Sequence, residues 1–429
     1  MDTQPTSTAD PAAPTPAAGC PFRIDPAASD IHAEAARLRA GGPAVQVELP
    51  GGVVAWSVTE TALAKRLLTD DRVSKDAHQH WPAYMRGEIP EGWPLRIWVD
   101  VRNALSAYGD EHTRLRKLIG PAFSARRVRA LTPAIESIVA ELLDELEASP
   151  AGPEGIVDLR ARFAWVLPLR VVNTLLGVPE EMHEAFRTTM GGLFATDRTP
   201  EEAVAGVMAA YEQMAALVAV KQRNPGEDVT SDLVNAKDDE TGTGLAPQEL
   251  LDTLLLLIGA GHETTVNLLD HAIADLLDHP EQLAMAKDGR VPWGDVVEEA
   301  LRHQAPLASM LMRFPVSDIE DEASGLTFRQ NEPIVMNYGA MGRDSAVHGD
   351  DAERFDVTRT TRKEHLAFGF GVHYCLGAEL ARVEAKIALS ALFDRFPGLA
   401  LAGPASELRP QESFISNGHR ELPVRLTRG

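Results

Sequence analysis

The stretch His365-Leu366-Ala367-Phe368-Gly369-Phe370-Gly371-Val372-His373-Tyr374-Cys375-Leu376-Gly377-Ala378-Glu379-Leu380-Ala381-Arg382 decides how this chain is read. It holds one of only two cysteines in 429 residues, with glycines at 369, 371 and 377 around it. Glycine lets a backbone bend where a side chain would strain it. From Ala378 to Phe396, helix-forming residues carry an apolar stripe at Leu380, Val383, Ile387, Leu389 and Leu392. Cys375 is therefore expected in a glycine-rich loop at a helix start. Unpaired amides and the positive end of the helix dipole favour thiolate there. A lone thiolate is a nucleophile or an axial ligand for haem iron. The bland alternative is a small buried hydrophobe. Zinc is poorly supported: His373 is close, but no second cysteine is near and no Cys-x-x-Cys exists.

The wording of the loop, Phe-Gly-x-Gly-x-x-x-Cys-x-Gly continuing as Ala-Glu-Leu-Ala-Arg, resembles the haem-binding loop of the cytochrome P450 family. The resemblance implies that Cys375 is the axial ligand of haem iron. It also implies that Phe368, Gly369 and Gly377 shape the cofactor loop.

Composition describes a soluble globular protein. Hydrophobic residues make up 44% and charged residues 24%, enough for a substantial core. The net charge of −22 argues against nucleic acid or an anionic membrane as a general partner. Two cysteines exclude a disulfide scaffold and suit a reducing cytoplasm. The most apolar run, Leu254 to Ile258, is far shorter than the ~20 residues a membrane helix requires. Residues 1–19, rich in Ala, Pro and Thr, read as a disordered tail before one catalytic domain over 20–429. Cys20 reads as an uncommitted thiol.

Val45–Leu49 and Val53–Val58 alternate around Pro50-Gly51-Gly52, which predicts a hairpin, and Thr61 to Leu68 predicts a short helix. Residues 78–106 hold Trp81, Trp93 and Trp98 among prolines; they read as loop with helical turns. Those rings are either ordinary packing or a wall for an apolar ligand. In Asp110 to Ala130, His112 and Arg116 fall on one helix face, with Arg114, Lys117, Arg126, Arg127 and Arg129 nearby. Alone, this is a solvated basic helix. The resemblance implies more: His112 and Arg116 grip the haem propionates, and an acidic electron donor docks by charge. Glu136 to Leu146, Glu180 to Leu193 and Glu201 to Gln222 read as amphipathic helices, the last two forming a lid in the family.

A second decisive element opens at Pro247 with Gln248 and Glu249 and runs helically to Leu277. Its middle reads Gly259-Ala260-Gly261-His262-Glu263-Thr264-Thr265. Two glycines inside a helix cost on the order of 1 kcal/mol each. A buried acid beside two hydroxyls costs more unless it is satisfied. That wording suits a site where a flat ligand nears the backbone and protons are delivered. It is similar to the family's oxygen-activation motif, which places Ala260 and Gly261 at the cofactor and gives Thr264 and Glu263 the catalytic alcohol and the proton-relaying acid. His262, at a variable position, reads as a satisfied structural histidine.

Glu299 and Arg302 are spaced i, i+3, and the resemblance makes them a buried structural pair joined by Arg359. It makes Arg313 and His365 further propionate ligands. It also puts Trp98, Leu307, Ala308, Ser309, Met310 and Ile415 beside the substrate. The usual Ala-Asn-Arg-Asp-Pro stands here as Met341-Gly342-Arg343-Asp344-Ser345, which puts local packing in question. Leu326–Phe328 and Ile334–Met336 predict strands, and Phe414 to Leu426 a terminal hairpin around Asn417-Gly418.

The expectation is a mainly α-helical single domain with a small β-region, binding haem b between the Gly259–Thr265 helix and the Cys375 loop. The implied activity is a cytoplasmic, monomeric monooxygenase. It would hydroxylate a steroid, macrolide or cyclodipeptide-like molecule using O2. Electrons would come from NAD(P)H through a ferredoxin reductase and a ferredoxin. Oxidative coupling of aromatic cyclodipeptides, peroxide-driven turnover and a haem-based gas sensor are the competing readings.

Overall fold

The computed structural model describes residues 20–148, 155–193, 200–238 and 242–426. The expected tail over 1–19 lies outside the described residues. The fold is mainly helical, as expected, with a small β-region.

The helix Pro247–Asp278 runs through the middle. Pro247 occupies its first turn, and the Glu249 carboxylate accepts the Ala246 N–H at 2.7 Å, satisfying an amide that the helix leaves unpaired. It packs against the helices Val166–Leu176, Trp293–His303 and Ala378–Arg395. Leu254, Ile258, Val266, Leu269, Ala272 and Ile273 are fully buried in the largest core cluster. The leucines at 255, 256 and 257 are only partly buried and Ala260 is exposed, so one side of the helix is open.

The hairpin forms as its alternation predicts: Ala44–Glu48 pairs antiparallel with Val54–Val58. The six-stranded sheet continues parallel to Ile334–Asn337, then antiparallel to Ser309–Pro315 and Val73–Ser74. Trp81 and Trp93 belong to the core under this sheet; Trp81 stacks on Phe314 with centroids 5.2 Å apart. Packing is therefore the right reading for those two rings, and Trp98 alone of the three is half-buried.

Two sequence expectations change. The sequence divides the region after Asp110 near Pro133, but the helix Gly109–Ile119 stops at Gly120-Pro121, and Ala125–Ala148 runs straight through Pro133. Pro121 has no N–H to continue the ladder, and the chain tightens there into a 3-10 turn over Gly120–Phe123. Burial of Ile135, Ile138, Val139, Leu142, Leu143 and Leu146 outweighs the one hydrogen bond lost at Pro133. The expected terminal hairpin is also absent. Pro423–Arg425 pairs with Ala400–Leu401 and Ile156–Asp158 instead. Residues 414–417 are drawn elsewhere: Ser416 bridges Leu307, and the Asn417 amide donates to Gln304 Oε1 at 3.3 Å and Ala305 O at 3.2 Å.

Below the central helix, Arg302 is wholly buried. It donates to both Glu299 oxygens at 2.7 and 2.8 Å and to the carbonyls of Gly342, Ala352 and Arg354. Arg359 lies 3.7 Å from Glu299 and donates to His348 O at 2.7 Å. This explains Gly342: a Cβ there would stand 2.0 Å from Arg302 O. The chain closes more tightly on the ion pair than a larger residue in this backbone would allow.

Candidate active site

The Cys375 loop is built by its glycines. Gly369 and Gly371 have φ of +72° and +71°, a region L side chains rarely adopt, and a Cβ on Gly371 would meet Leu68 O at 2.3 Å. The Cys375 amide donates to Phe368 O at 2.9 Å and closes the loop. Gly377 leaves room beside the sulfur, 3.9 Å from where its Cβ would be. Cys375 Sγ belongs to an accessible residue that is nonetheless ringed by protein. That enclosure raises the thiol pKa, against the opposing pull of the Gly377 and Ala378 amides and of Arg116 and Arg382. A bound metal cation would favour the thiolate, because a coordinating thiol is deprotonated outright.

The loop is clamped from behind. Glu298 pairs with His365 Nε2 at 3.0 Å and with Arg382 Nε at 2.5 Å, and the Arg382 guanidinium covers the Phe368 ring at 4.5 Å. Burial works against the charge on Glu298, but the His365 and Arg382 donors hold its carboxyl low, to about 2. His365 Nδ1 accepts the Ala367 N–H at 3.1 Å, so both ring nitrogens are taken. His365 is thus held in the clamp behind the Cys375 loop.

Another histidine stands where the positive charge gathers. His373 packs on His112 with ring centroids 4.0 Å apart, and the basic groups bearing on it are Lys75, His112, Arg313 and Arg116. Burial first, then those groups, push the His373 imidazole far below its usual range. The same burial takes His112 to about 4. Lys75 is buried and donates to Leu311 O at 3.0 Å; burial and Arg313 lower its pKa strongly. Arg116 donates to Tyr374 O at 2.9 Å. His112 Nε2 and Arg313 Nη1 are buried without any hydrogen-bond partner. Buried donors are satisfied as a rule, so orphaned ones among clustered cations fit a missing anionic ligand. The two carboxylates of a haem b meet that requirement, with Cys375 alongside for its iron. The sequence mentions Lys75 nowhere as a site residue, and it considers His373 only as a zinc ligand; Lys75 follows a two-residue strand, Val73–Ser74, and carries no local pattern.

On the central helix, the Thr264 hydroxyl donates to Ala260 O at 2.6 Å. Gly261 is pressed by Val172, whose Cγ2 would stand 3.1 Å from an added Cβ. Glu263 turns toward the 411–416 segment: its Oε1 accepts Ser416 Oγ at 3.0 Å and Asn267 Nδ2 at 3.2 Å. His262 is fully buried with Nε2 2.9 Å from Trp165 O, a structural role, and burial lowers its pKa to about 4.

Trp98, Leu307 and Ile415 come together in one apolar cluster, and Ala308 N–H donates to Ile415 O at 2.8 Å. Ala308 and Ser309 are buried in the strand region. Met310 goes the other way and packs in the cluster of Tyr338 and Leu366, because successive strand side chains alternate. The basic patch is smaller than its sequence suggests: Arg114 is paired with Glu111 and Glu249, and Arg127 with Asp232, leaving Arg126 and Arg129 exposed.

Residues 294–411 match the family model described as Cytochrome P450. A 2-hydroxy-5-methyl-1-naphthoate 7-hydroxylase from Streptomyces carzinostaticus is 42% identical over 95% of this chain and 98% of its own. The chain belongs to the cytochrome P450 family. Another P450 relative is the monooxygenase PikC of Streptomyces venezuelae, 37% identical over 94% of this chain and 92% of its own. Among solved P450 structures, CYP154A1 from Streptomyces coelicolor A3(2) has a TM-score of 0.87 at 49% identity, covering 95% of this chain and 100% of that one. A testosterone-bound CYP154C4 from Streptomyces sp. ATCC 11861 has a TM-score of 0.89 at 42% identity, covering 95% and 99%. This P450 is thus a monooxygenase, and membership implies haem and O2-dependent chemistry. No described helix of this P450 is long and apolar enough to cross a membrane.

Proposed function

We propose that this chain hydroxylates an apolar, ring-containing small molecule, with Cys375 as the axial ligand of haem b. The observation that carries the reading is the group of basic side chains beside the Cys375 loop, with buried, unpartnered nitrogens on His112 and Arg313. Lys75, His112, Arg116, Arg313, His365 and His373 would hold the propionates. When bound, the haem supplies the iron at which dioxygen is reduced and an oxygen atom is transferred. Thr264 would present its hydroxyl to the oxygen, and Glu263 would turn from Ser416 to pass protons inward. Trp98, Leu307 and Ile415 would hold the substrate by apolar contact, which excludes water and leaves regiochemistry to shape. Relatives named for a naphthoate hydroxylation and solved with a steroid support a flat polycyclic substrate class. Electrons would arrive from NAD(P)H through a ferredoxin reductase and a ferredoxin docking at Arg126 and Arg129.

The test is spectral. Reduced, CO-treated protein should give the red-shifted Soret band of a thiolate ligand, and Cys375→Ser should lose it; a variant that keeps the band would sink the proposal. Titration of the haem spectrum with testosterone, a macrolide and a hydroxynaphthoate then ranks substrates by the low-to-high-spin shift. A product heavier by one oxygen marks hydroxylation, and loss of hydrogens without oxygen gain marks oxidative coupling.

A further inference from the structure

Arg160 is 5% exposed and stands between two carboxylates, 3.4 Å from Asp270 and 3.8 Å from Glu263. Asp270 is wholly buried. Its Oδ2 accepts the His419 N–H at 2.7 Å and lies 3.0 Å from His419 Nδ1, while Oδ1 has no partner. Burial opposes its charge, but the His419 hydrogen bond, with His419 and Arg160 as neighbours, keeps the carboxyl ionised at about 2. Asp270, His271 and His419 approach within 4.8 Å, a spacing that suggests a metal ion. Arg160 already provides positive charge there, and a divalent cation would have to expel it. The cluster points instead along Arg160 to Glu263. Gln411 joins the same group: with its amide turned to suit its neighbours, it donates to Glu263 at 3.2 Å and accepts from Arg160 at 2.5 Å.

We propose that Arg160 is a positioning residue for Glu263, and that the buried Asp270–His419 pair sets how firmly Arg160 holds it. This rests on the reading of Glu263 as the proton-relaying acid. One guanidinium serves two carboxylates, and attraction falls with distance, so what draws Arg160 toward Asp270 loosens Glu263. A buried Arg–Asp pair is a poor device for stability alone, because its desolvation offsets its attraction. It is a good device for parking an acid that must later turn. Glu263 rests on Ser416 and Asn267 under Arg160's field, and Asp270 keeps that field from becoming a permanent ion pair.

The experiment uses the haem-loaded full chain with a plant ferredoxin and its reductase, without organic substrate. NADPH oxidation is followed in H2O and D2O, and the share of electrons released as hydrogen peroxide is measured. Arg160→Gln should change the solvent isotope effect at least twofold and raise the peroxide share. Arg160→Lys should restore both toward the parent. Asp270→Asn, which leaves Arg160 to Glu263 alone, should move the isotope effect in the opposite sense. Because Arg160→Gln strands Asp270, the double variant Arg160→Gln/Asp270→Asn removes both charges and should match Arg160→Gln kinetically with a recovered Tm. Parent-like values in both Arg160→Gln forms, alongside an altered Glu263→Gln, overturn the proposal. If Glu263→Gln itself matches the parent, the relay reading of Glu263 fails. A crystal structure of Arg160→Gln then decides the positioning role: a Glu263 carboxylate unmoved from Ser416 overturns it, and one displaced supports it.

Discussion

His112 and His373 face each other with ring centroids 4.0 Å apart, although they come from chain segments about 260 residues distant. Burial strips both of their charge. Neutral imidazoles still donate one N–H each, so they can join Lys75 and Arg313 around an anion without adding to the repulsion. Lys75 is the member that sequence patterns miss. A charge-assisted hydrogen bond is worth about 1.5–3 kcal/mol. Lys75→Met should therefore lose haem to apomyoglobin at least ten times faster than the parent, and Arg313→Met should behave likewise. An unchanged transfer rate in Lys75→Met would remove Lys75 from the cofactor site.

Glu384 is fully buried on the helix after Cys375, with Oε1 unpartnered, and burial raises its pKa to about 8. The folded state therefore keeps a proton that the unfolded chain releases near the ordinary value of 4.5. Unfolded chains bind fewer protons across that window, so stability falls as pH rises from about 4.5 to 8. Glu384→Gln should flatten the decline. Its Tm should equal the parent's at the acid end and exceed it at pH 8, by on the order of 4 kcal/mol in stability. Parallel Tm curves for the two proteins would refute this.

Breaking the Glu299–Arg302 pair leaves an unpaired charge in a fully buried place. Loss of one partner from such a pair costs about 3–5 kcal/mol. Arg302→Ala also abandons three backbone carbonyls at 342, 352 and 354. It should unfold at much lower denaturant concentration and retain little haem, whereas Arg290→Ala, which breaks the exposed Arg290–Asp288 pair, should be within about 0.5 kcal/mol of the parent. Urea titrations of both compare them directly.

Arg126 and Arg129 are exposed, while Arg114 and Arg127 are engaged by acids. Reversing the first two to Glu should raise the KM for ferredoxin several-fold at low salt, and the difference should vanish as ionic strength rises. Arg114→Gln should have the smaller effect. Equal KM values for Arg126→Glu/Arg129→Glu and the parent would move the docking site elsewhere.

Much of this fold is legible because its signals are local. The Pro50-Gly51-Gly52 turn, the Pro247 helix start and the Cys375 loop each declare themselves within a few residues. The site is legible where its groups sit at fixed helical spacing, as with His112 and Arg116 or Glu299 and Arg302. It fails where contact depends on distant chain. The Glu298 partner of His365 lies 67 residues away and has no local signal. Arg160 is one arginine in Leu159-Arg160-Ala161-Arg162, and only folding brings it between Asp270 and Glu263. Residues 414–426 have the alternation and the Asn-Gly turn of a hairpin, but Asn417 finds better partners at Gln304 and Ala305.

The bond from Ser416 to Glu263 spans 153 residues. At ~5–20 residues per second, a ribosome makes Ser416 roughly 10–30 s after Glu263. Throughout that interval the acid lacks Ser416 and Gln411, and Asp270 lacks His419, although Arg160 has long been present. The nascent chain must therefore carry its distal carboxylates under a different set of partners from those of the finished enzyme. Translation that stalls before Ser416 would leave Glu263 without Ser416 and Asp270 without His419, and quality control would meet the chain in that form.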